Sequence, residues 1–247
     1  MIPELTICGR VATITLRRPE TANRLDSEDL SALIEHIDVA NKAEDVLVLR
    51  LQANGKYFCS GYDILRIGTS QAVAFDQVVN ALEDARPITI ALIQGGVYGG
   101  ATDLALACDF RLGVPHANMF MPAARLGLHF YQRGLERYVS RLGLNTAKRL
   151  FLMAETIDAA EMKTCGFLTH LVESDVFRTT AESLTQTLSG MAPIALCGMK
   201  KHLNRIANGT LDIAELRVDI ERSLFSEDLR EGTAAWAAKR PARFNGR

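Results

Sequence analysis

The stretch that decides the fold is 94–104, with the sequence QGGVYGGATDL. It follows 88–93 (ITIALI), an apolar run of the length and composition of a buried strand. It leads into 101–108 (ATDLALAC), which predicts a buried helix. Glycine at such a junction allows unusual backbone angles and lets a ligand approach the main chain closely. The sequence therefore predicts a strand, a tight glycine turn and a helix over 101–108 that Gly99 and Gly100 open.

A second junction of the same kind occurs at 57–64 (YFCSGYDI), after a predicted strand at 46–52. A helix that begins at a glycine turn points unpaired N–H groups outward at its N-terminus. Two such turns side by side could aim two N–H donors at one oxygen and so form an oxyanion hole. The alternative is that both are ordinary turns between a strand and a helix. Neither segment matches the phosphate-binding patterns GxxxxGK[ST] or GxGxxG.

The rest of the chain divides into an α/β part and a helical part. Up to residue 140, predicted strands alternate with predicted helices, which indicates a largely buried sheet. We therefore predict a core over 1–190 and a helical C-terminal region over 191–247. The predicted strands are 4–8, 11–16, 46–52, 88–93, 110–113 and 168–173, and the predicted helices are 27–43, 70–83, 101–108, 145–152, 158–164, 177–189, 195–207 and 212–223.

The overall composition excludes several classes of protein. Hydrophobic residues make up 48% of the 247, which suits a globular protein and is too high for a disordered one. The net charge of -1 argues against a nucleic-acid or anionic-membrane partner. No apolar run approaches the roughly 20 residues that a membrane span needs, and no secretory signal is recognisable. The five cysteines form no CxxC pair, so we expect no metal site of that type and a reducing, cytoplasmic location.

Five ordered motifs resemble those of the enoyl-CoA hydratase/isomerase (crotonase) family along nearly the whole chain. The glycine junctions are similar to its F-S-A-G-x-D-L turn and its G-G-G-x-E-L-A-x-x-C-D helix. An N-terminal segment is similar to N-R-P-x-x-x-N-A-L, and two C-terminal segments are similar to S-x-D-x-x-E-G and F-x-E-K-R-x-P-x-F-x-G-R. The corresponding stretches here are 58–64 (FCSGYDI), 99–109 (GGATDLALACD), 16–25 (LRRPETANRL), 226–232 (SEDLREG) and 236–247 (WAAKRPARFNGR).

The resemblance implies a crotonase-like spiral of ββα units with a C-terminal helical trimerisation region, assembled as a homotrimer or hexamer. It implies a coenzyme A thioester as substrate and no separate cofactor. The backbone N–H groups of Tyr62 and Gly100 would form the oxyanion hole. Arg24 would contact the coenzyme A phosphates and ribose, and Trp236 with Lys239 would reach the coenzyme A of a neighbouring subunit. For Arg24 and Lys239, the alternative is ordinary solvated surface charge.

The departures from the family pattern fall in its catalytic positions. Hydratases of the family use two glutamates, one on each side of the substrate double bond. The first position here is Asp103, which is one methylene shorter, so its reach falls by about 1.5 Å. The second position is Ala123, which cannot titrate. We therefore expect Asp103 to be the leading acid-base residue and two-glutamate hydration to be compromised.

The segment 127–137 (GLHFYQRGLER) also departs from the pattern, because bulky and polar residues replace glycines there. His129 is a catalytic candidate, since its ordinary pKa lies near neutrality; the alternative is a histidine packed at a subunit interface. Glu136 is another candidate to replace the missing glutamate. Tyr131 is expected in the wall of the acyl pocket beside Ala123, because a tyrosine holds its proton up to a pKa of about 10.

The function expected from these features is an acyl-CoA enzyme that acts through an enolate of the thioester. One alternative is decarboxylation, because 120–127 (FMPAARLG) is similar to the corresponding stretch of methylmalonyl-CoA decarboxylase. That reaction needs an oxyanion hole and a later proton source, but no carboxylate to position water. The other alternative is a protein that binds acyl-CoA or an acyl carrier and has lost catalysis.

Overall fold

The computed structural model describes residues 1–66 and 72–247. Strands and helices alternate over the first two thirds of the chain, and helices dominate the remainder. The strands are β1 (Glu4–Cys8), β2 (Val11–Leu16), β3 (Val48–Ala53), β4 (Ile88–Ile93), β5 (Val97–Tyr98), β6 (Phe110–Gly113), β7 (Asn118–Phe120), β8 (Ile157–Asp158) and β9 (His170–Leu171). The helices are α1 (Ser27–Lys42), α2 (Phe75–Glu83), α3 (Gly100–Ala107), α4 (Gln132–Leu142), α5 (Leu144–Met153), α6 (Ala159–Thr164), α7 (Phe177–Ser189), α8 (Pro193–Ala207), α9 (Ile213–Leu224) and α10 (Glu227–Ala237).

The larger sheet has the strand order β1-β2-β3-β4-β6-β9, and a smaller one has the order β5-β7-β8. Only the β1–β2 hairpin of the larger sheet is antiparallel. Every residue of β4 is buried, as expected for a central parallel strand covered on both faces. Helices α7 and α8 cover one of those faces and pack residues such as Leu188 and Leu196 against Ile90. The smaller sheet places β5 directly before the Gly99 turn.

Helix α1 shows how the sequence sets a boundary. The Asp26 carboxylate accepts hydrogen bonds from the N–H groups of the first turn, and the Asp29 carboxylate accepts one from the Asp26 N–H. This reciprocal capping box fixes the start of the helix. Its buried face then repeats as Leu30, Leu33 and Ile37.

The structure matches most of the predicted elements and corrects a few. Strands at 4–8, 11–16, 88–93 and 110–113 are confirmed. The helix predicted over 70–83 begins at Phe75, and residues 70 and 71 lie outside the described residues. Helices α4 and α10 were not predicted. Helix α4 contains Gly134, a residue type that usually marks a turn. Here a Cβ would come 2.3 Å from the Phe130 ring, so the glycine makes room for that ring inside a helix.

The predicted boundary near residue 191 coincides with the start of α8 at Pro193. Because α8 packs on β4, the C-terminal region is in contact with the core through this helix. The division into 1–190 and 191–247 stays a prediction. Among the helices of the described part of the chain, none has the length and apolarity to cross a bilayer.

Candidate active site

The two glycine junctions meet in the folded chain. Gly61 has φ +93°, and a Cβ on it would lie 2.8 Å from the Tyr98 carbonyl oxygen and 3.0 Å from the Gly100 nitrogen. A backbone bridge between Cys59 and Val97 ties the first junction to β5. A side chain at Gly61 would therefore collide with backbone, which cannot give way. Glycine is required there because the two turns touch.

The backbone N–H groups of Tyr62 and Gly100 have no acceptor anywhere in residues 1–66 and 72–247. The peptide groups on either side of Tyr62 bond to the backbone of Leu25 at 2.9 Å, which holds Tyr62 in place. The Gly99 N–H donates to the Phe120 carbonyl oxygen at 3.0 Å and anchors the start of α3. Two fixed donors are thus left available for a ligand oxygen.

Both residues line a cavity of about 520 Å³. Its wall is mainly aromatic and apolar, with a few polar groups. Tyr62, Gly100, Ala123, His129 and Tyr131 all belong to it, so the structure brings these sequence-predicted residues together. The full lining is Ser60, Tyr62, Ile64, Ala74, Phe75, Asp76, Tyr98, Gly99, Gly100, Phe120, Met121, Pro122, Ala123, Leu126, Leu128, His129, Phe130 and Tyr131.

Asp103 does not line the cavity, which corrects the direct acid-base role expected for it. Its side chain is 0% exposed. Arg137 Nη1 donates to Asp103 Oδ1 at 2.7 Å, and the Tyr131 hydroxyl donates to Asp103 Oδ2. The short aspartate side chain is therefore held by Arg137 of α4 and by Tyr131 of the preceding loop. Of these two partners, Tyr131 lines the cavity.

Arg137 belongs to a row of arginines on α4 at four-residue spacing, which places them on one face of the helix. Arg133, Arg137 and Arg141 all donate to Glu83 at the end of α2, at 2.9 to 3.0 Å. Burial by itself would raise the pKa of Glu83, but the three guanidinium groups outweigh it and hold that pKa below its usual value. The row fixes α4, and therefore Arg137, against α2.

The protonation states around Tyr131 follow from the same contacts. Burial raises the pKa of Asp103, opposed by the charge of Arg137 and the hydrogen bond from Tyr131. Burial and the neighbouring Asp103 charge raise the pKa of Tyr131 well above its ordinary value. Tyr131 therefore keeps its proton at neutral pH, so it can donate a proton to a basic intermediate but cannot serve as a resting base.

His129 lines the cavity, and one of its two ring nitrogens is engaged in a hydrogen bond. Its Nδ1 is 2.8 Å from the Phe130 carbonyl oxygen. A carbonyl oxygen only accepts, so Nδ1 carries the proton of this hydrogen bond. In the neutral ring, Nε2 is then the lone-pair nitrogen and can take up a proton.

The other predicted residues lie away from the cavity. Arg24 is half-exposed, 3.7 Å from Asp63, and next to the residue that bridges to Tyr62. Trp236 on α10 is 87% exposed, and Lys239 follows that helix; neither lines the cavity of its own chain. Their contact with the coenzyme A of a neighbouring subunit stays a prediction.

Glu136 does not line the cavity either, and it accepts a hydrogen bond from Gln132. The structure therefore gives no support to Glu136 as a replacement for the missing glutamate at Ala123. Sequence reasoning also missed Asp76, in the first turn of α2, which does line the cavity. A helical pattern was visible there, but nothing local showed which way its first turn faces.

No group of metal-ligating side chains occurs among the described residues. The largely parallel sheet, the two touching glycine turns and the cavity that both turns line are the features of the crotonase-fold class. The chain matches the family model described as "Enoyl-CoA hydratase/isomerase" over residues 6–247, and it belongs to that family.

Individual relatives cover nearly the same length. The chain is 27% identical to the short-chain-enoyl-CoA hydratase of Clostridium acetobutylicum, over 94% of this chain and 93% of that protein. It is 26% identical to the 2,3-dehydroadipyl-CoA hydratase of Escherichia coli, over 96% of each. The crystal structure of enoyl-CoA hydratase from Bacillus anthracis superposes with a TM-score of 0.89, at 25% identity and complete coverage of both chains.

Proposed function

We propose that the protein is an acyl-CoA enzyme that stabilises the enolate of a coenzyme A thioester. The observation that carries this proposal is the pair of unpartnered N–H groups at Tyr62 and Gly100, two residues that line one cavity. A thioester carbonyl oxygen placed between them gains negative charge as the neighbouring carbon loses a proton. Each donor aimed at developing charge lowers the activation barrier by about 3 to 4 kcal/mol. This chemistry needs no cofactor besides the coenzyme A of the substrate.

Proton transfer in this proposal uses His129 and Tyr131. The Nε2 atom of His129 takes a proton from the carbon next to the thioester, and the electron pair moves onto the carbonyl oxygen. Tyr131, oriented by Asp103, donates the proton that quenches the enolate. Solvent water then returns a proton to the Tyr131 oxygen as His129 Nε2 releases the one it took. Asp103 and Arg137 act as positioning residues because they are buried behind the wall. Ala123 offers no second carboxylate for water, so a proton shift or exchange is favoured over two-glutamate hydration.

The decarboxylase alternative gains no support from the cavity. A malonyl-type substrate carries a free carboxylate in its acyl group, and that carboxylate needs a compatible site. Among the described residues that line the cavity there is no lysine or arginine, and Asp76 contributes negative charge. Such a carboxylate would be held without a cationic partner.

The proposal is tested by deuterium uptake. Butyryl-CoA, crotonyl-CoA and methylmalonyl-CoA are incubated with the protein in heavy water and analysed by mass spectrometry. We expect deuterium at the carbon next to the thioester of butyryl-CoA. Tight binding of all three esters without exchange, hydration or loss of carbon dioxide would identify an acyl-CoA binding protein and overturn the proposal.

Tyr131→Phe is expected to slow this exchange about a hundredfold, because it removes the proton donor. Tyr98→Phe is the matched control, since Tyr98 also lines the cavity and should change the rate only slightly. The Tyr131 variant also leaves Asp103 Oδ2 without its donor, a loss of about 1 to 3 kcal/mol of stability that thermal unfolding will report. Equal losses of activity in both variants would remove Tyr131 from the mechanism.

A further inference from the structure

The cavity has one charged side chain in its described lining that the mechanism does not use. Asp76 is the only acidic residue there, and no lysine or arginine accompanies it. Asp76 has no hydrogen bond or ion pair with any other residue, within the part of the chain that the structure describes. It lies in the first turn of α2, where the helix N-terminus favours a negative charge. The cavity lining thus includes one acidic side chain with no partner among the described residues.

Aromatic rings line the same cavity as Asp76. The rings of Tyr62 and Phe75 have centroids 6.2 Å apart. Phe75 also packs against the turn that supplies the oxyanion donor, since a Cβ on Gly100 would come 2.8 Å from its Cζ atom. Tyr98 and Phe120 form a second ring pair of the same wall, with centroids 5.0 Å apart. Asp76 is therefore adjacent in sequence to a ring that contacts the proposed reaction centre.

Aromatic faces attract cations through their quadrupole, and a nearby carboxylate adds direct charge attraction. The same wall disfavours an anionic acyl group, which would meet Asp76 with no basic side chain in the described lining to offset the repulsion. A neutral chain would fill the apolar part of the cavity and leave Asp76 unpaired.

We infer that the acyl group of the substrate carries a positive charge, as an ammonium or quaternary ammonium group, which Asp76 and the aromatic wall recognise. This inference rests on the proposed function for the thioester end of the substrate. It assigns Asp76 the selection of the acyl group, in addition to the enolate chemistry at Tyr62 and Gly100.

Three coenzyme A esters of matched chain length test the inference. They are 4-(trimethylammonio)butyryl-CoA, its uncharged isostere 5,5-dimethylhexanoyl-CoA, and glutaryl-CoA. Dissociation constants are measured by calorimetry and exchange rates by mass spectrometry. We expect the cationic ester to bind about tenfold more tightly than its isostere, because a partly solvated charge pair contributes about that much to binding. Glutaryl-CoA is expected to bind more weakly than either.

Asp76→Asn keeps the shape of the side chain and removes its charge, so the preference for the cation over the isostere should nearly vanish. Glu35→Gln removes one charge at an exposed site of α1 away from the cavity, and should leave the preference unchanged. Raising the salt concentration from 0.05 to 0.5 M should reduce the preference of the unmodified protein, because a partly open charge pair is screened.

The outcomes separate this inference from the proposed function. Equal binding of the cationic ester and its isostere, or a preference that survives Asp76→Asn, overturns the inference even if exchange is rapid. A clear cation preference without exchange on any ester supports the assignment of Asp76 and overturns the enolate proposal. Failure of all three esters to bind overturns both.

Discussion

Gly100→Pro is expected to lower the rate of exchange next to the thioester by about 10² to 10³-fold, the usual loss when one oxyanion donor is removed. Gly100 is the first residue of α3, where its N–H has no partner within the helix. Proline is tolerated at that position because the missing N–H costs the helix nothing. The substitution thus deletes the proposed donor while the helix keeps its hydrogen bonds.

Gly100→Ala is the matched control. Any Cβ at this position would come 2.8 Å from the Phe75 ring, so both variants force Phe75 to move. Only the proline variant also loses the N–H. The ratio of the two exchange rates therefore cancels the crowding at Phe75 and reports the replacement of the N–H by the proline Cδ. If alanine and proline slow the reaction equally, the Gly100 N–H does not stabilise the enolate.

Arg137→Met is expected to destabilise the fold by about 3 to 5 kcal/mol, because it leaves the buried Asp103 carboxylate without its arginine and removes one of three arginines from Glu83. Arg137 is 0% exposed and contacts both Asp103 and Glu83. Methionine fills part of the volume and supplies no charge. Chemical denaturation followed by circular dichroism measures the loss of stability.

Arg133→Met provides the comparison, since it also removes an arginine that contacts Glu83 from the same face of α4. The Arg133 side chain is 28% exposed, so solvent moderates the loss, and we expect about 1 kcal/mol or less. Similar losses of stability for the two variants would show that burial of the arginine–carboxylate pair does not set its contribution to stability.

The Arg137 variant should also depend on pH in a defined direction. Without the arginine, the already raised pKa of Asp103 in the folded state rises further, and the lowered pKa of Glu83 moves up. A carboxylate with a raised folded pKa costs stability once both states are ionised, and the cost falls as pH decreases through that pKa. The difference in unfolding free energy from the native protein should therefore shrink between pH 8 and pH 5.

Much of the molecule was predictable from local sequence. Strands β1, β2, β4 and β6 of the larger sheet have continuous apolar or alternating runs, and their bounds follow because period and turn residues are local properties. The bounds predicted for β3 and β9 were wrong by up to two residues at each end. The two glycine junctions were visible for the same reason. Family membership and the loss of a titratable group at Ala123 also follow from residue identity, since an alanine cannot ionise in any fold.

The roles of charged side chains were decided by the tertiary structure. Asp103 was expected at the reaction centre, but Arg137 and Tyr131, each about thirty residues away in sequence, hold its carboxylate behind the wall. The arginine spacing on α4 was a visible signal, but its partner Glu83 lies about fifty residues earlier.

Asp76 shows the same limit from the opposite side. The sequence marks it as an ordinary acidic residue in the first turn of a helix. The packing of α2 against α3 places it in the cavity lining, where it has no partner among the described residues. Short stretches of sequence largely determine backbone conformation. The burial and pairing of a charged side chain depend instead on which distant elements the fold brings beside it.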